Sequence, residues 1–274
     1  MKDIITIIFS KDRALQADLT LKTFHARCQD PELTDVVLFY TTSSNSHQKS
    51  YVQLEKEWGF DIDAFIEIDF REDLLSLLED RKYVLFIVDD CIFTHDFSLE
   101  KISKNLEHWQ RFGFSLRLGK NTTHCYTMNT KQRFPADPVK VEENILSYCW
   151  DYKSFDFGYP AEVSSSMYRV DTFMDTFKAY DFRNPNELES LMASIATTWS
   201  NKMPFLLCYE QSVAFCNPCN KVQTVAPNNR AGMDIYYTPE NLLSLYTQGV
   251  RIDPEMFHGF VSNSTHMEVS LIHD

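Results

Sequence analysis

Two adjacent carboxylates, Asp89 and Asp90, are the residues of this sequence best suited to chemistry. They directly follow Tyr83–Val88 (YVLFIV), a run typical of a strand that is buried on both faces. Adjacent like charges repel each other unless a positive group lies beside them. Hard divalent cations prefer carboxylate oxygens as ligands. The pair therefore predicts a metal or ligand site at a strand end; the alternative is an acidic strand end that faces water.

The glycines exclude two common kinds of phosphate site. The chain has 274 residues and 7 glycines, and no two glycines are spaced as in the GxGxxG or GxxxxGK[ST] motifs. A bound phosphate would therefore need basic side chains or a metal as its counter-charge. The formal net charge of −13 also argues against a protein that binds nucleic acid through its phosphates.

Strand-like and helix-like patterns alternate over the first 120 residues. The patterns predict strands at Ile4–Phe9, Val36–Tyr40, Phe65–Ile68 and Tyr83–Val88, and helices at Arg13–Phe24, Ser50–Trp58 and Arg71–Asp80. This order is typical of the α/β class, with a mostly parallel sheet flanked by helices. Because ligands collect at the carboxyl ends of such strands, we expect Ser10–Arg13 and Thr41–Ser43 to line a nucleotide site beside the acidic pair.

The alternation ends near residue 120. We expect a single domain over 1–274, with a nucleotide-binding half at 1–120 and an irregular half at 121–274. In the second half, Glu142–Trp150 is interpreted as a possible helix, and Pro185–Trp199 and Thr238–Tyr246 as helices. Cys216 and Cys219 form a CxxC pair, but no second pair completes a zinc site, so a plain loop is favoured over a zinc or redox site.

Cysteine usage and hydropathy indicate the compartment. The 7 cysteines are odd in number and scattered, which is typical of free thiols in a reducing environment. The apolar runs fall far short of the roughly 20 residues that a membrane-spanning helix needs. The first residues lack the pattern of a signal peptide. We therefore expect a cytoplasmic protein without a transmembrane segment.

The order of elements and the place of the acidic pair resemble the GT-A glycosyltransferases, a Rossmann-like fold, and in particular the family-2-like enzymes of bacterial type. Those enzymes have a DxD-type motif, often as Asp-Asp-X, where this sequence has Phe86–Phe93 (FIVDDCIF). Their nucleotide pocket begins where the first predicted strand closes with Phe9–Arg13 (FSKDR). The resemblance covers roughly residues 4–120.

The resemblance implies an enzyme, a hexosyltransferase of polysaccharide biosynthesis. It would move a sugar from a UDP- or GDP-sugar to a glycan, a lipid-linked acceptor or another hydroxyl. Inversion of the anomeric configuration is favoured. The second half of the chain would bind the acceptor. The implied cofactor is Mn²⁺ or Mg²⁺, with Asp90 and His266 as ligands and His258 in reserve. The implied donor-binding residues are Phe9, Ser10, Lys11, Arg13, Thr41, Arg71, Asp89 and Arg117.

An inverting enzyme also needs a carboxylate base to deprotonate the acceptor hydroxyl. Glu189 and Glu187 are the candidates, because they open the predicted helix beyond the metal motif; acids in a first helical turn also favour the helix dipole without any catalysis. Asp151 and Asp156 are the alternative bases. The aromatic residues nearby are either an acceptor platform or core, namely Trp150, Tyr152, Phe155, Phe157 and Tyr159.

Two other functions remain open from the sequence. A binding scaffold could keep the fold without catalysis. A sugar nucleotidyltransferase shares the front architecture, but it needs a glycine-rich loop after the first strand, and FSKDRALQ contains no glycine. Stabilisation by UDP that depends on Mn²⁺ would separate a donor-binding enzyme from a scaffold that lacks the site.

Overall fold

The computed structural model describes residues 2–151, 153–223 and 230–272. Its first part alternates strands and helices as the sequence predicts. The elements are β1 (Ile4–Lys11), α1 (Ala14–Arg27), β2 (Thr34–Thr41), α2 (Asn45–Trp58), β3 (Asp63–Ile66), α3 (Phe70–Leu78), β4 (Tyr83–Val88), β5 (Cys91–Phe93), α4 (Leu99–Leu106) and β6 (Arg111–Ser115).

The second part contributes strands to the same sheet. Its elements are β7 (His124–Cys125), β8 (Thr130–Lys131), β9 (Val139–Glu142), β10 (Ile145–Cys149), β11 (Ser165–Arg169), α5 (Met174–Ala179), α6 (Pro185–Trp199), β12 (Phe205–Tyr209), β13 (Ala214–Cys216) and α7 (Pro239–Thr247). Short 3₁₀ turns lie at Pro31–Leu33, Gly59–Asp61, Phe155–Gly158, Val170–Thr172, Ile235–Tyr237 and Pro254–Phe257.

One nine-stranded sheet organises the molecule, in the order β3-β2-β1-β4-β11-β6-β12-β10-β9. The strands β3, β2, β1 and β4 are parallel to one another, whereas β11 pairs antiparallel with both β4 and β6. Alternate residues of β1 pack into two apolar layers, Ile4 and Ile8 on one face and Ile5 and Ile7 on the other. The sheet is therefore covered on both faces, which confirms the expected α/β architecture.

The interpretation of Glu142–Trp150 as a helix is wrong. This segment contains the last residue of β9 and the whole of β10, which pairs antiparallel with β12 and β9. Ile145, Leu146, Ser147 and Tyr148 are all buried, so the strand shows no alternation of apolar and polar residues that would distinguish it from a short buried helix. The two later helices are confirmed, since α6 and α7 begin at Pro185 and Pro239.

The register of the parallel strands places their carboxyl ends side by side. Lys11 pairs with Thr41, and Phe9 pairs with Val88. The Asp89 amide donates to the Phe9 carbonyl oxygen at 3.1 Å, so the acidic pair lies directly beside the end of β1.

No helix within the described ranges is long and apolar enough to cross a membrane.

Candidate active site

A cavity of about 780 Å³ opens at the carboxyl ends of β1, β2 and β4. Its volume is within the range of sites for small molecules, roughly 300–1,000 Å³. Ten of the predicted site residues line it, namely Phe9, Ser10, Lys11, Arg13, Thr41, Asp89, Asp90, Arg117, Glu189 and His266. Two predicted site residues, Arg71 and Glu187, are absent from its lining. The structure thus brings most of the predicted site together from both halves of the chain.

Asp89 is held by the end of β1. Its Oδ1 accepts from Arg13 Nη1 at 3.0 Å, and its Oδ2 accepts from Ser10 Oγ at 2.8 Å and from the Lys11 amide at 3.2 Å. The carboxylate is only 3% exposed. A buried charge with an ion-pair partner and several donors is well stabilised. Asp89 therefore fixes the geometry of the strand ends around the cavity.

Asp90 is less well satisfied. Arg13 Nη1 lies 3.5 Å from its Oδ2, while its buried Oδ1 accepts no hydrogen bond of ordinary geometry from the residues that the structure describes. Burial raises the pKa of Asp90 to about 6, against the opposing effect of Arg13, and the neighbouring Asp89 raises it further. A buried carboxylate oxygen without a donor is costly, so Asp90 is the carboxylate at this strand end that most needs a cation.

Asp12 lies directly after β1 and has a backbone conformation that usually favours glycine. Its φ is +56°, in the left-handed region that aspartate tolerates better than most residues. The side chain is buried, and its Oδ1 accepts from the Ser43 amide at 2.8 Å. A side-chain acceptor therefore shapes the turn after β1, a position where dinucleotide-binding α/β folds use glycine.

The residues present fit a divalent cation at Asp90 but offer few further ligands. Within residues 2–151, 153–223 and 230–272, no group of three or more His, Cys, Asp or Glu is arranged to hold an ion. Mg²⁺ and similar ions are commonly held by one or two carboxylates together with substrate phosphates and waters. The unpartnered oxygen of Asp90 meets that requirement.

His266 faces an arginine in this structure. Its Nε2 lies 3.2 Å from Arg117 Nη1, and its Nδ1 lies 3.2 Å from Thr265 Oγ1. Because a guanidinium can only donate, Nε2 accepts and Nδ1 bears the proton. Burial and the charge of Arg117 lower the pKa of His266 to about 3. The imidazole lone pair that would bind the predicted metal is therefore occupied by Arg117.

Glu162 is a site residue that the sequence reasoning missed. It accepts from Arg117 Nη2 at 2.9 Å, from the Ser164 and Ser165 amides, and from Ser166 Oγ. Arg117 and Glu162 are both buried, at 5% and 6% exposed. The available signal was the run Ser164–Ser166, which offers several donors close to an acid. This pair fixes Arg117 in the cavity wall.

The two candidate bases at the start of α6 have different surroundings. Asn184 caps the helix by accepting from the Glu187 amide, and Glu187 Oε2 accepts from the Arg183 amide at 2.9 Å. Glu187 thus binds the backbone just before the N-cap residue, and it lies outside the cavity. Glu189 lines the cavity, where it accepts from Tyr159 Oη at 3.1 Å and from the Val163 amide at 3.0 Å. Burial raises the pKa of Glu189, and the nearby Glu162 adds to the shift.

The alternative bases also differ in position. Asp156 lines the cavity, where its Oδ2 accepts from Gln132 Nε2 at 2.7 Å and burial raises its pKa. Asp151 is not among the lining residues. Only part of the expected aromatic platform faces the cavity. Phe155 and Tyr159 line it and are 42% and 40% exposed, whereas the other described members belong to the hydrophobic core. The core members are Trp150 and Phe157, and Tyr152 lies outside the described residues.

Arg71 lies away from the cavity and does not face a donor site there. Its Nε and Nη2 donate to the carbonyl oxygens of Phe177, Lys178 and Tyr180 at the end of α5. This places the guanidinium where the last carbonyls of a helix need donors. The reserve histidine, His258, is exposed and pairs with Glu255 at 3.4 Å.

The CxxC pair belongs to the wall behind the acidic residues. Cys216 pairs with Cys91 across β13 and β5, and its Sγ lies 3.2 Å from Arg117 Nη1. Gln16 Nε2 lies 3.6 Å from Cys219 Sγ. Both thiols are buried and outside any disulfide, and burial raises the pKa of each. Thiols of this kind are poor nucleophiles and metal ligands. The interpretation of the pair as a plain loop is wrong for Cys216, which is the last residue of β13.

Comparison with known proteins supports the expected fold. No protein-family model matches the chain. The bifunctional glycosyltransferase pgtA of Dictyostelium discoideum is 30% identical over 183 residues, which are 60% of this chain and 23% of that protein. The chain thus spans less than a quarter of the length of this curated relative.

Solved structures of TarS from S. aureus share the architecture. One covers 94% of this chain and 41% of its own length, with a TM-score of 0.50 and 12% identity. A second, of TarS 1–349 in complex with UDP-GlcNAc, covers 94% of this chain and 69% of its own, with a TM-score of 0.50 and 10% identity. The expected GT-A type of α/β fold is confirmed.

Proposed function

We propose that this chain is a glycosyltransferase that moves a hexosyl group from a nucleoside-diphosphate sugar to a hydroxyl of a glycan or a lipid-linked acceptor. One observation supports this most: a single cavity joins the ends of β1 and β2, the Asp89–Asp90 pair and Glu189. The glycosyltransferase relative and the UDP-GlcNAc bound to TarS point to the same donor class.

On the donor side, the strand ends would bind the nucleotide of a UDP- or GDP-sugar. Thr41, Lys11 and Phe9 line the part of the cavity beyond β1 and β2, and Asp89 fixes the backbone there. Asp90 would hold Mn²⁺ or Mg²⁺. The ion would supply positive charge to the diphosphate leaving group, in addition to Lys11 and Arg13 at the end of β1.

On the acceptor side, Glu189 is the proposed base. Its raised pKa improves its ability to take a proton from a hydroxyl near neutral pH. The Tyr159 hydroxyl and the Val163 amide orient its two oxygens. The exposed ring faces of Phe155 and Tyr159 would hold an acceptor sugar beside it. Attack from this side, opposite the leaving diphosphate, predicts inversion of the anomeric centre.

Thermal unfolding with UDP or GDP, in the presence of Mn²⁺ or of EDTA, tests the donor site. A ligand at a hundredfold excess over its Kd stabilises the native state by about 2.7 kcal/mol. We expect one of these nucleotides with Mn²⁺ to raise the Tm, and EDTA to abolish most of the rise.

Two variants localise the effect. Asp90→Asn should remove the metal-dependent part of the rise. Asp80→Asn is the matched control, because Asp80 is exposed at the opposite end of β4, and it should behave as the wild type. An equal rise in both variants would place the nucleotide elsewhere.

A further inference from the structure

A second cavity, of about 750 Å³, adjoins the first and shares Phe155 with it. Among the described residues, its wall carries four basic side chains and no acidic one. The basic residues are His124, Lys131, Arg133 and Lys153. This composition is unusual for a chain with a net charge of −13. We call this second cavity the basic groove.

The lysine and arginine side chains of the basic groove have no ion-pair partner among the described residues. Lys131, Arg133 and Lys153 are exposed, and none of them forms an ion pair within the part of the chain that the structure describes. Some exposed cations elsewhere have an acidic partner, such as Lys120, which pairs with Glu210 at 2.5 Å. Three unpaired cations in one concave wall create a local positive potential that favours an anion.

Structural contacts connect the basic groove to the proposed chemistry. The Gln132 side chain donates to the His124 carbonyl oxygen at 3.3 Å and to Asp156 Oδ2 at 2.7 Å. Asp156 lines the first cavity. Between the two cavities, Phe155 is 42% exposed and has a φ of +58°, a conformation that is strained for an aromatic residue and is often found at functional sites.

We propose that the acceptor is an anionic saccharide, with phosphate or carboxylate groups that lie in the basic groove. Its next unit would stack on Phe155 and present a hydroxyl to Glu189. Elsewhere the negative net charge of the protein would repel an anionic saccharide. The groove therefore determines both where the acceptor binds and in which direction it lies. This inference rests on the proposed glycosyltransferase function.

Binding of three tetrasaccharides tests the proposal: a tetragalacturonate, a phosphorylated tetramannose and neutral maltotetraose, each titrated at low and at high salt. We expect at least one of the anionic probes to bind at least about tenfold more tightly than the neutral one, a factor that equals about 1.4 kcal/mol. High salt should weaken that preference. The two anionic probes show whether carboxylate or phosphate is recognised.

The variant Lys131→Glu/Arg133→Glu/Lys153→Glu should remove the preference. The control Lys49→Glu/Lys56→Glu/Lys101→Glu makes the same change of charge on exposed positions of α2 and α4, and it should keep the preference. Equal binding of all probes, no binding of either anionic probe, or equal losses in both variants would each overturn the proposal. UDP or GDP with Mn²⁺ should stabilise both variants as it does the wild type, which separates failure here from failure of the donor site.

Discussion

The neutral imidazole of His266 predicts an acid-sensitive native state. Its Nε2 accepts from Arg117, and its pKa in the folded chain is about 3, against about 6.5 in an unfolded chain. The native state therefore binds this proton more weakly than the unfolded state does. The contribution to stability is complete above pH 6.5 and falls progressively as the pH decreases towards 3.

The size of the effect follows from the two pKa values. Each pH unit below 6.5 costs about 1.4 kcal/mol, so at pH 5 the wild type should lose about 2 kcal/mol through this one group. His266→Gln retains a side-chain acceptor for Arg117 but cannot be protonated. The variant should lose less stability than the wild type between pH 7.5 and pH 5, by about that amount.

Urea unfolding followed by circular dichroism at pH 7.5, 6.5, 5.5 and 5.0 measures the difference. Acidic groups that titrate in this range are common to both proteins, so the difference between the two curves isolates His266. His258→Gln is the control, because the His258 side chain is 55% exposed, and it should follow the wild type. A difference between wild type and His266→Gln that stays constant with pH would refute the assignment of His266 as a neutral acceptor.

Three further predictions concern the cavity and its walls. Glu189→Gln should lower kcat about 10²–10⁴-fold with little change in donor affinity, whereas Glu187→Gln, at the helix cap, should keep transfer activity within a few-fold. Equal losses of activity in a transferase assay would contradict the assignment of Glu189 as the base. Arg71→Ala should leave nucleotide binding unchanged by calorimetry, and a large loss of affinity would show that Arg71 reaches the donor after all. Glu162→Gln should destabilise the fold by about 3 kcal/mol, because it leaves the Arg117 charge buried without its partner; an unchanged midpoint of urea unfolding would contradict this.

Much of the first half could be predicted because the sequence signals there are local. The strand at Tyr83–Val88 is continuous and apolar, so its end and the position of Asp89 and Asp90 follow directly. The parallel pairing then places Ser10 and Thr41 beside them. These steps need only periodicity and the rule that ligands collect at the carboxyl ends of parallel strands.

The second half could be predicted less well because its site depends on long-range pairing. Glu162 reaches Arg117 because β11 inserts between β4 and β6, an order that no local pattern indicates. The misinterpreted strand β10 is buried along Ile145–Tyr148 and therefore shows no period of two. Arg71 binds carbonyls of α5, which lies about a hundred residues later in the chain. Sequence periodicity cannot anticipate such contacts.

The most direct test of the central claim is a search for products. The chain would be incubated with UDP- and GDP-hexoses, Mn²⁺ and a set of neutral and anionic glycans, and both the released nucleoside diphosphate and the glycan masses would be measured. We expect one donor to release nucleoside diphosphate in equal amount with a glycan that has gained one hexose, and the new linkage to have the inverted anomeric configuration by NMR. Nucleotide binding without any hexosylated product across the donors and glycans would contradict the account and would indicate a binding scaffold of the same fold.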